Sequence, residues 1–312
     1  MNRNVVICPG CGTPGVLIGQ LQDCHRFAGV HFADPLLGGC LYRCPRCSLK
    51  FRNPVQDAEA YRRLYDNPLT TAWVSETARP DWEKIAVYVH KIFPSGAKVL
   101  DFGCYSGGLL HELGERYEKF GVEVNRAAAS VAAEQNKAMV WQALENIPDG
   151  LRFDVIVAAD VVEHVPNPQA LLARLMRLLG DNGVLLVTTG DGANRWWNLF
   201  GANWWYCFIP EHISFISPAW LEYFSRENRA VVRDIEKFRY EHLSPLRLVV
   251  DGAMMILYGI APAMYLRLGS AMKRLIRRDG DFGPRGRGVS ADHIFVVLAN
   301  KLSTQNRETS QQ

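Results

Sequence analysis

The sequence predicts an α/β fold built on a doubly wound, mostly parallel seven-stranded sheet, with a small cysteine-bearing N-terminal module and a C-terminal helical insertion. Three observations predict it. Apolar runs at 98–101, 117–123, 139–142, 153–159 and 184–189 alternate with stretches of helical apolar spacing at 109–115, 126–135 and 169–179, as crossover helices on a parallel sheet require. The first of these runs, "VLDFGCYSGGLL", ends in a carboxylate and a glycine-bearing turn that opens a helix, which places it at the ligand end of such a sheet. Ahead of it stand two CxxC pairs, "CPGCG" and "CPRCS", whose tight turns let four thiolates face one ion.

Residues 1–53 form the expected zinc-ribbon-like module, with Cys8, Cys11, Cys44 and Cys47 as ligands of a structural zinc ion. So short a segment needs a metal staple, because it cannot bury enough apolar surface alone. Cys24 and Cys40 have no partner at ligand spacing and are expected to pack. No apolar signal core precedes a cleavage site, and CxxC pairs in such a chain suggest metal rather than disulfides, so a reducing, cytoplasmic location is expected. Residues 54–96 read as a helical linker: Tyr61, Leu64 and Tyr65, then Trp82, Ile85, Val89 and Ile92, recur at helical spacing.

The α/β domain is expected over 97–302. After its fifth strand, residues 191–216 are long, aromatic and glycine-punctuated, and are read as a lid loop over the substrate. Trp196, Trp197, Trp204, Trp205 and Tyr206 either stack on an acceptor or pack the lid on itself. Ser217 caps the next helix and Pro218 takes its first position. "AVVRDIEKF" and "DHIFVVLANK" supply the last two strands, and between them 245–280 is an apolar helical insertion. Residues 303–312 are polar and expected to be disordered.

The ligand follows from the first strand end. A dinucleotide would need glycine where Tyr105 stands, and Asp101 would repel its phosphates. Asp101 instead favours a cation, and Glu123 lies at the distance along the chain where a carboxylate meets a ribose diol. An adenosine carrying positive charge, as in S-adenosylmethionine, satisfies both. The runs "VLDFGCYSG", "FGVEVN", "FDVIVAADVVEHVPNP" and "NGVLLVTT" resemble, in that order, the motifs of class I S-adenosylmethionine-dependent methyltransferases. The resemblance covers about 98–190 well and continues more loosely to about 300. It implies a Rossmann-like fold and a cofactor site at Asp101, Gly103, Cys104, Tyr105, Gly107, Glu123, Val124 and Ala159. Tyr105 departs from the middle glycine that most members carry.

Methyl transfer needs alignment and a proton acceptor rather than a nucleophilic serine. His164, just beyond the fourth strand, and His212, in "PEHISF" of the lid, are the candidate catalytic residues, each with a purely structural role as the alternative. A net charge of +3 does not demand nucleic acid, and the module's basic residues are scattered, so an RNA methyltransferase gripping through zinc ranks below a small-molecule enzyme. The favoured acceptor is sugar-linked or lipid-linked. An inactive cofactor-binding scaffold is the third reading, carried by Tyr105. Within 246–278, the run from Leu248 to Leu266 is nearly long enough to span a bilayer, and Lys273, Arg274, Arg277 and Arg278 follow it. It is expected either at the inner membrane face as an interfacial hairpin or in a buried or homo-oligomeric contact.

Overall fold

The N-terminal segment folds as short antiparallel strands tied together by the two CxxC turns. They are β1 (Val16–Gln20), β2 (Cys24–Phe27), β3 (Val30–Leu36), β4 (Cys40–Arg43) and β5 (Lys50–Asn53). This is a computed structural model and it describes residues 5–65, 79–275 and 283–301. The tail at 303–312, Arg277 and Arg278 therefore lie outside the described residues. Helices α1 (Ala58–Tyr65) and α2 (Pro80–Ile92) follow, the second burying Ile85 and Val89, two of its predicted apolar stripe, against the large sheet.

The α/β domain then runs through β6 (Lys98–Phe102), α3 (Gly108–Glu112), β7 (Glu118–Val122), α4 (Arg126–Asn136), β8 (Met139–Trp141), β9 (Phe153–Ala159), α5 (Pro168–Arg177) and β10 (Leu179–Gly190). It continues with α6 (Arg195–Phe200), β11 (Ser214–Phe215), α7 (Pro218–Asn228), β12 (Ala230–Phe238), α8 (Pro245–Ile260), α9 (Pro262–Leu275) and β13 (His293–Asn300). The large sheet has seven strands in the order β12-β13-β10-β9-β6-β7-β8, with β13 antiparallel to both neighbours and the rest parallel. Helices cover both faces, so β10 is buried from Gly183 on and β13 up to Ala299, and their centres read as the apolar runs Val184–Val187 and Ile294–Ala299. From β6 the chain winds one way to β8, then returns to the other side at β9. That reversal opens a crevice beyond the carboxyl ends of β6 and β9, where ligands bind in such sheets.

Local signals place the helix starts. Asn125, Asn167 and Ser217 each accept a backbone N–H of the first helical turn, and proline follows the last two. The stretch 191–216, expected as a lid loop, is instead a packed bridge. It forms α6 and two 3₁₀ turns, and its β11 pairs with β5, Ser214 opposite Phe51, adding a fourth strand to the module's sheet. Trp197, Trp204, Trp205 and Tyr206 are buried in a cluster with Leu21 and Leu41 of the module and Met255 of α8. Burying rings of that size against three elements stabilises more than leaving them over a solvent-filled cleft. The aromatics thus pack on one another and on the module, and none of them lines the ligand crevice described next.

Candidate active site

A cavity of about 440 Å³ lies at the switch point, and Asp101, Gly103, Cys104, Tyr105, Glu123, Val124 and Ala159 all line it. Of the cofactor residues expected from sequence, only Gly107 does not. Gly107 sits at φ 84° as the cap of α3, where a Cβ would come within 2.4 Å of Asn136 Nδ2. It is a packing glycine that lets α3 approach α4. Gly103, at φ 83°, turns the chain out of β6, and a Cβ there would meet Val161 at 2.6 Å. Tyr105 takes φ 44°, the left-handed conformation a glycine would adopt freely. The substitution therefore keeps the path of the loop, at a strain of about 1 kcal/mol.

Glu123 holds that loop in place. Its Oε2 accepts the Tyr105 N–H at 2.9 Å and its Oε1 the Asn125 N–H at 2.7 Å, so one carboxylate ties the turn after β6 to the turn after β7. Each oxygen keeps a second lone pair for a diol. Burial pushes the Glu123 carboxyl above its usual range, opposed by the N–H groups of Asn125, Tyr105 and Val124. Asp101 is buried on the same wall, and burial first, then the Glu123 charge, push its carboxyl up to about 7. Two carboxylates facing one cavity make it a site for positive charge.

A third carboxylate was not singled out by the sequence. Asp160, at the end of β9 with φ 53°, lines the cavity and accepts Arg79 at 2.7 Å and the Tyr240 hydroxyl on Oδ2. Its Oδ1 is buried with no partner among the described residues. Arg79 is held in turn by Asp81 and stacks on Trp82, which also lines the cavity. The signal for Asp160 was its position, one residue past an apolar strand, as Glu123 follows β7; nothing local marked Arg79.

His164 lines the cavity, as expected. Its Nδ1 lies 3.2 Å from the Glu211 carbonyl, which can only accept, so Nδ1 carries the proton and Nε2 is the ring's acceptor. The Tyr65 hydroxyl stands 3.0 Å from the same Nδ1. Burial holds the imidazole below its ordinary pKa, which keeps it neutral at pH 7. His212, expected over the substrate, is not on the cavity wall. It packs behind His164 with ring centroids 5.0 Å apart, and its Nδ1 donates to the Tyr206 carbonyl at 3.1 Å. The aromatic bridge carries it there when β11 joins the module. Glu163 accepts from Thr189 at 2.8 Å and Tyr206 at 2.6 Å, and burial pushes its carboxyl up to about 7. One donor atom each of Glu163, His164 and His212 falls within 4.8 Å of the others, a set able to hold a divalent ion.

Residues 75–228 match the family model described as a methyltransferase domain. They form a methyltransferase domain. The chain is 29% identical over 188 residues to the ubiquinone biosynthesis O-methyltransferase of Bradyrhizobium sp. (strain ORS 278), covering 54% of this chain and 71% of that one. It is 30% identical over 176 residues to the enzyme of the same name from Rhodopseudomonas palustris (strain HaA2), covering 50% and 66%. A solved structure of a TehB-like S-adenosylmethionine-dependent methyltransferase from Corynebacterium glutamicum matches with a TM-score of 0.41 at 16% identity, over 69% of this chain and 86% of that one. The chain is an S-adenosylmethionine-dependent methyltransferase.

The module is built into the methyltransferase domain's site. Arg52 of β5 is buried and donates to the carbonyls of Gly38 at 2.9 Å, Cys207 at 2.8 Å, Ile209 at 3.1 Å and His212 at 3.2 Å. It thereby fixes the turn that carries Glu211 and His212. Glu211 Oε1 accepts the Ala28 N–H of the turn between β2 and β3, and Phe27 lies edge-on to Tyr65 with centroids 5.2 Å apart. Both partners of His164 are thus backed by the module. Arg52→Met should lower unfolding stability by about 3 kcal/mol, because four carbonyls lose their donor in a buried site. Urea denaturation checks this, and a loss under about 1 kcal/mol would mean that packing alone holds the turn.

Cys8, Cys11, Cys44 and Cys47 do converge. The Cys8 and Cys47 sulfurs are 3.6 Å apart, those of Cys11 and Cys44 3.3 Å, and all lie within 4.8 Å of one another. Four thiolates around a zinc ion at bonds of about 2.3 Å would stand roughly 3.8 Å apart, so the donor set fits tetrahedral zinc. The hydrogen bond from Cys47, outweighing burial, lowers the Cys8 thiol to about 5, and backbone N–H groups of Cys11 and Gly10 add to it. Neither Cys24 nor Cys40 belongs to this cluster.

Proposed function

We propose that this methyltransferase moves the methyl group of S-adenosylmethionine to a hydroxyl oxygen of a small acceptor, with a lipid-linked acceptor favoured over a sugar-linked one. The observation that carries the reading is the pair of carboxylates, Asp101 and Glu123, at successive strand ends in one cavity. Glu123 receives the ribose diol, while Asp101 and the unpartnered Oδ1 of Asp160 face the ligand's positive charge. The names of the relatives support oxygen as the acceptor atom and a quinone-type, lipid-linked acceptor.

Bound S-adenosylmethionine supplies a methyl carbon already activated by its sulfonium. The protein's part is to hold the acceptor in line and take its proton as the new oxygen–carbon bond forms. His164 does this at Nε2. The Glu211 carbonyl accepts from Nδ1–H and steadies the imidazolium that results. Glu163 and His212 position the ring from behind. The cysteine cluster holds one zinc ion, which acts on structure alone.

Isothermal titration calorimetry tests the carboxylate reading. Wild type is expected to bind S-adenosylmethionine, and Glu123→Ala to bind at least tenfold more weakly, equivalent to about 1.4 kcal/mol. Equal affinities for the two proteins would remove Glu123 from the cofactor site.

A further inference from the structure

The helical insertion presents an apolar face that none of the described residues covers. Along α8, Leu246, Val249, Val250, Ala253, Ile256, Leu257 and Ile260 recur every three or four residues, and every one is exposed. Leu246, Val249 and Ile260 are 77%, 70% and 74% exposed, values usual for surface lysines rather than for large apolar side chains. On α9, Met264 and Leu268 are exposed as well. An amphipathic helix packed on a core normally turns such a stripe inward. Here the opposite side is the buried one: Met255, Tyr258 and Gly259 pack inward, and Gly259 lies so close to Phe200 that a Cβ would come within 2.2 Å of its ring. Asn203 donates to the Gly259 carbonyl at 3.1 Å, and Asp251 pairs with Arg247 and Arg285 at 3.2 and 3.0 Å. The orientation of the hairpin is therefore fixed by its inner side.

We propose that the α8–α9 hairpin seats this protein on an anionic lipid bilayer, lying in the headgroup region with its outer face in the acyl chains. Two observations select a membrane over a protein partner, and a third excludes crossing it. The stripe is one-sided and continuous, as for a helix lying in the interface plane. Charge is complementary: between 245 and 275 the sequence has Arg267, Lys273 and Arg274 besides Arg247, which pairs with Glu241 and with the single acid of the stretch, the buried Asp251. Crossing is also excluded for this hairpin, since α8 is only 16 residues long, no described helix is long and apolar enough to span a bilayer, and β12 and β13 on either side pair with each other in the sheet. The docking stands independently of the acceptor's identity.

Sedimentation of the full chain with phosphatidylglycerol–phosphatidylcholine vesicles and with pure phosphatidylcholine vesicles tests it. Wild type is expected to pellet with the anionic vesicles at low salt and to bind pure phosphatidylcholine at least tenfold more weakly. Val249→Asp/Ile260→Asp should lose at least tenfold in vesicle binding while keeping the wild-type melting temperature, because both positions are exposed. Met139→Asp, at an exposed apolar position on the far sheet edge, should bind as wild type does. Wild type staying in the supernatant overturns the proposal. So does a lipid-free dimer, seen by light scattering, that the double variant dissociates while vesicle binding is absent, since the face is then a contact between two copies.

Discussion

Metal removal is expected to lower the melting temperature by about 10 °C, corresponding to a loss of about 4 kcal/mol in a chain of this size. Purified protein should carry one equivalent of zinc, and strong chelation or Cys44→Ser should each produce the drop. The cost is that large because the four cysteines do more than close a finger. Cys8, Cys44 and Cys47 are buried in the same core cluster as Leu49, Phe51, Trp220 and Tyr223, so releasing the CxxC turns loosens the seam between module and α/β sheet. Beyond that seam lie β5, its pairing with β11, and the Arg52 bonds to the turn carrying Glu211 and His212. Methyl transfer should therefore fall as well, although none of the four cysteines lines the cavity. Cys40→Ser, outside the cluster, serves as the control with unchanged metal and melting. Metal-free protein that melts with wild type would refute the structural role.

What could be read from the sequence was what short stretches determine. Val99, Leu100 and Asp101 followed by a glycine turn make strand, bend and helix within ten residues, and the alternation that follows leaves one sheet type open. Ser217 before Pro218 gave a helix start to the residue, because a cap and its helix are adjacent. What could not be read was pairing across long separations. Ser214 and Phe215 form a two-residue strand with no periodicity, and their partner, β5, lies about 160 residues earlier. The aromatic density of 191–216 was visible, but an exposed lid and a buried bridge require the same residues. For that reason His212 could be placed near the site and still not on its wall. Arg79 was not singled out and Tyr65 was read only as part of a helical stripe, because a lone arginine or tyrosine carries no local mark of the cavity it lines. The apolar character of 245–280 was plain, but composition alone does not say which face of a helix turns outward.

Asp101→Asn should give a protein that is more stable without ligand and at least tenfold weaker in binding S-adenosylmethionine. The two effects share one cause. Burial and the nearby Glu123 raise the Asp101 carboxyl from its usual value of about 4 to about 7. Between those values the folded protein keeps a proton that the unfolded chain has lost, so the Asp101 contribution to stability falls as pH rises through that window. Above pH 7 the folded state bears a buried negative charge. Asparagine fills the same volume without it, and at pH 8 the variant should melt higher by roughly 5 °C, about 2 kcal/mol. Wild type should recover that cost only when a cation enters. Its affinity for S-adenosylmethionine should accordingly rise as pH goes from 6 to 8, with a proton released on binding near pH 6 and none near pH 8, while that of Asp101→Asn stays flat. Melting curves and calorimetry in two buffers of different ionisation enthalpy measure all three quantities. An affinity independent of pH in wild type, or a variant that binds as tightly, would show that Asp101 shapes the turn after β6 and does not meet the ligand's charge.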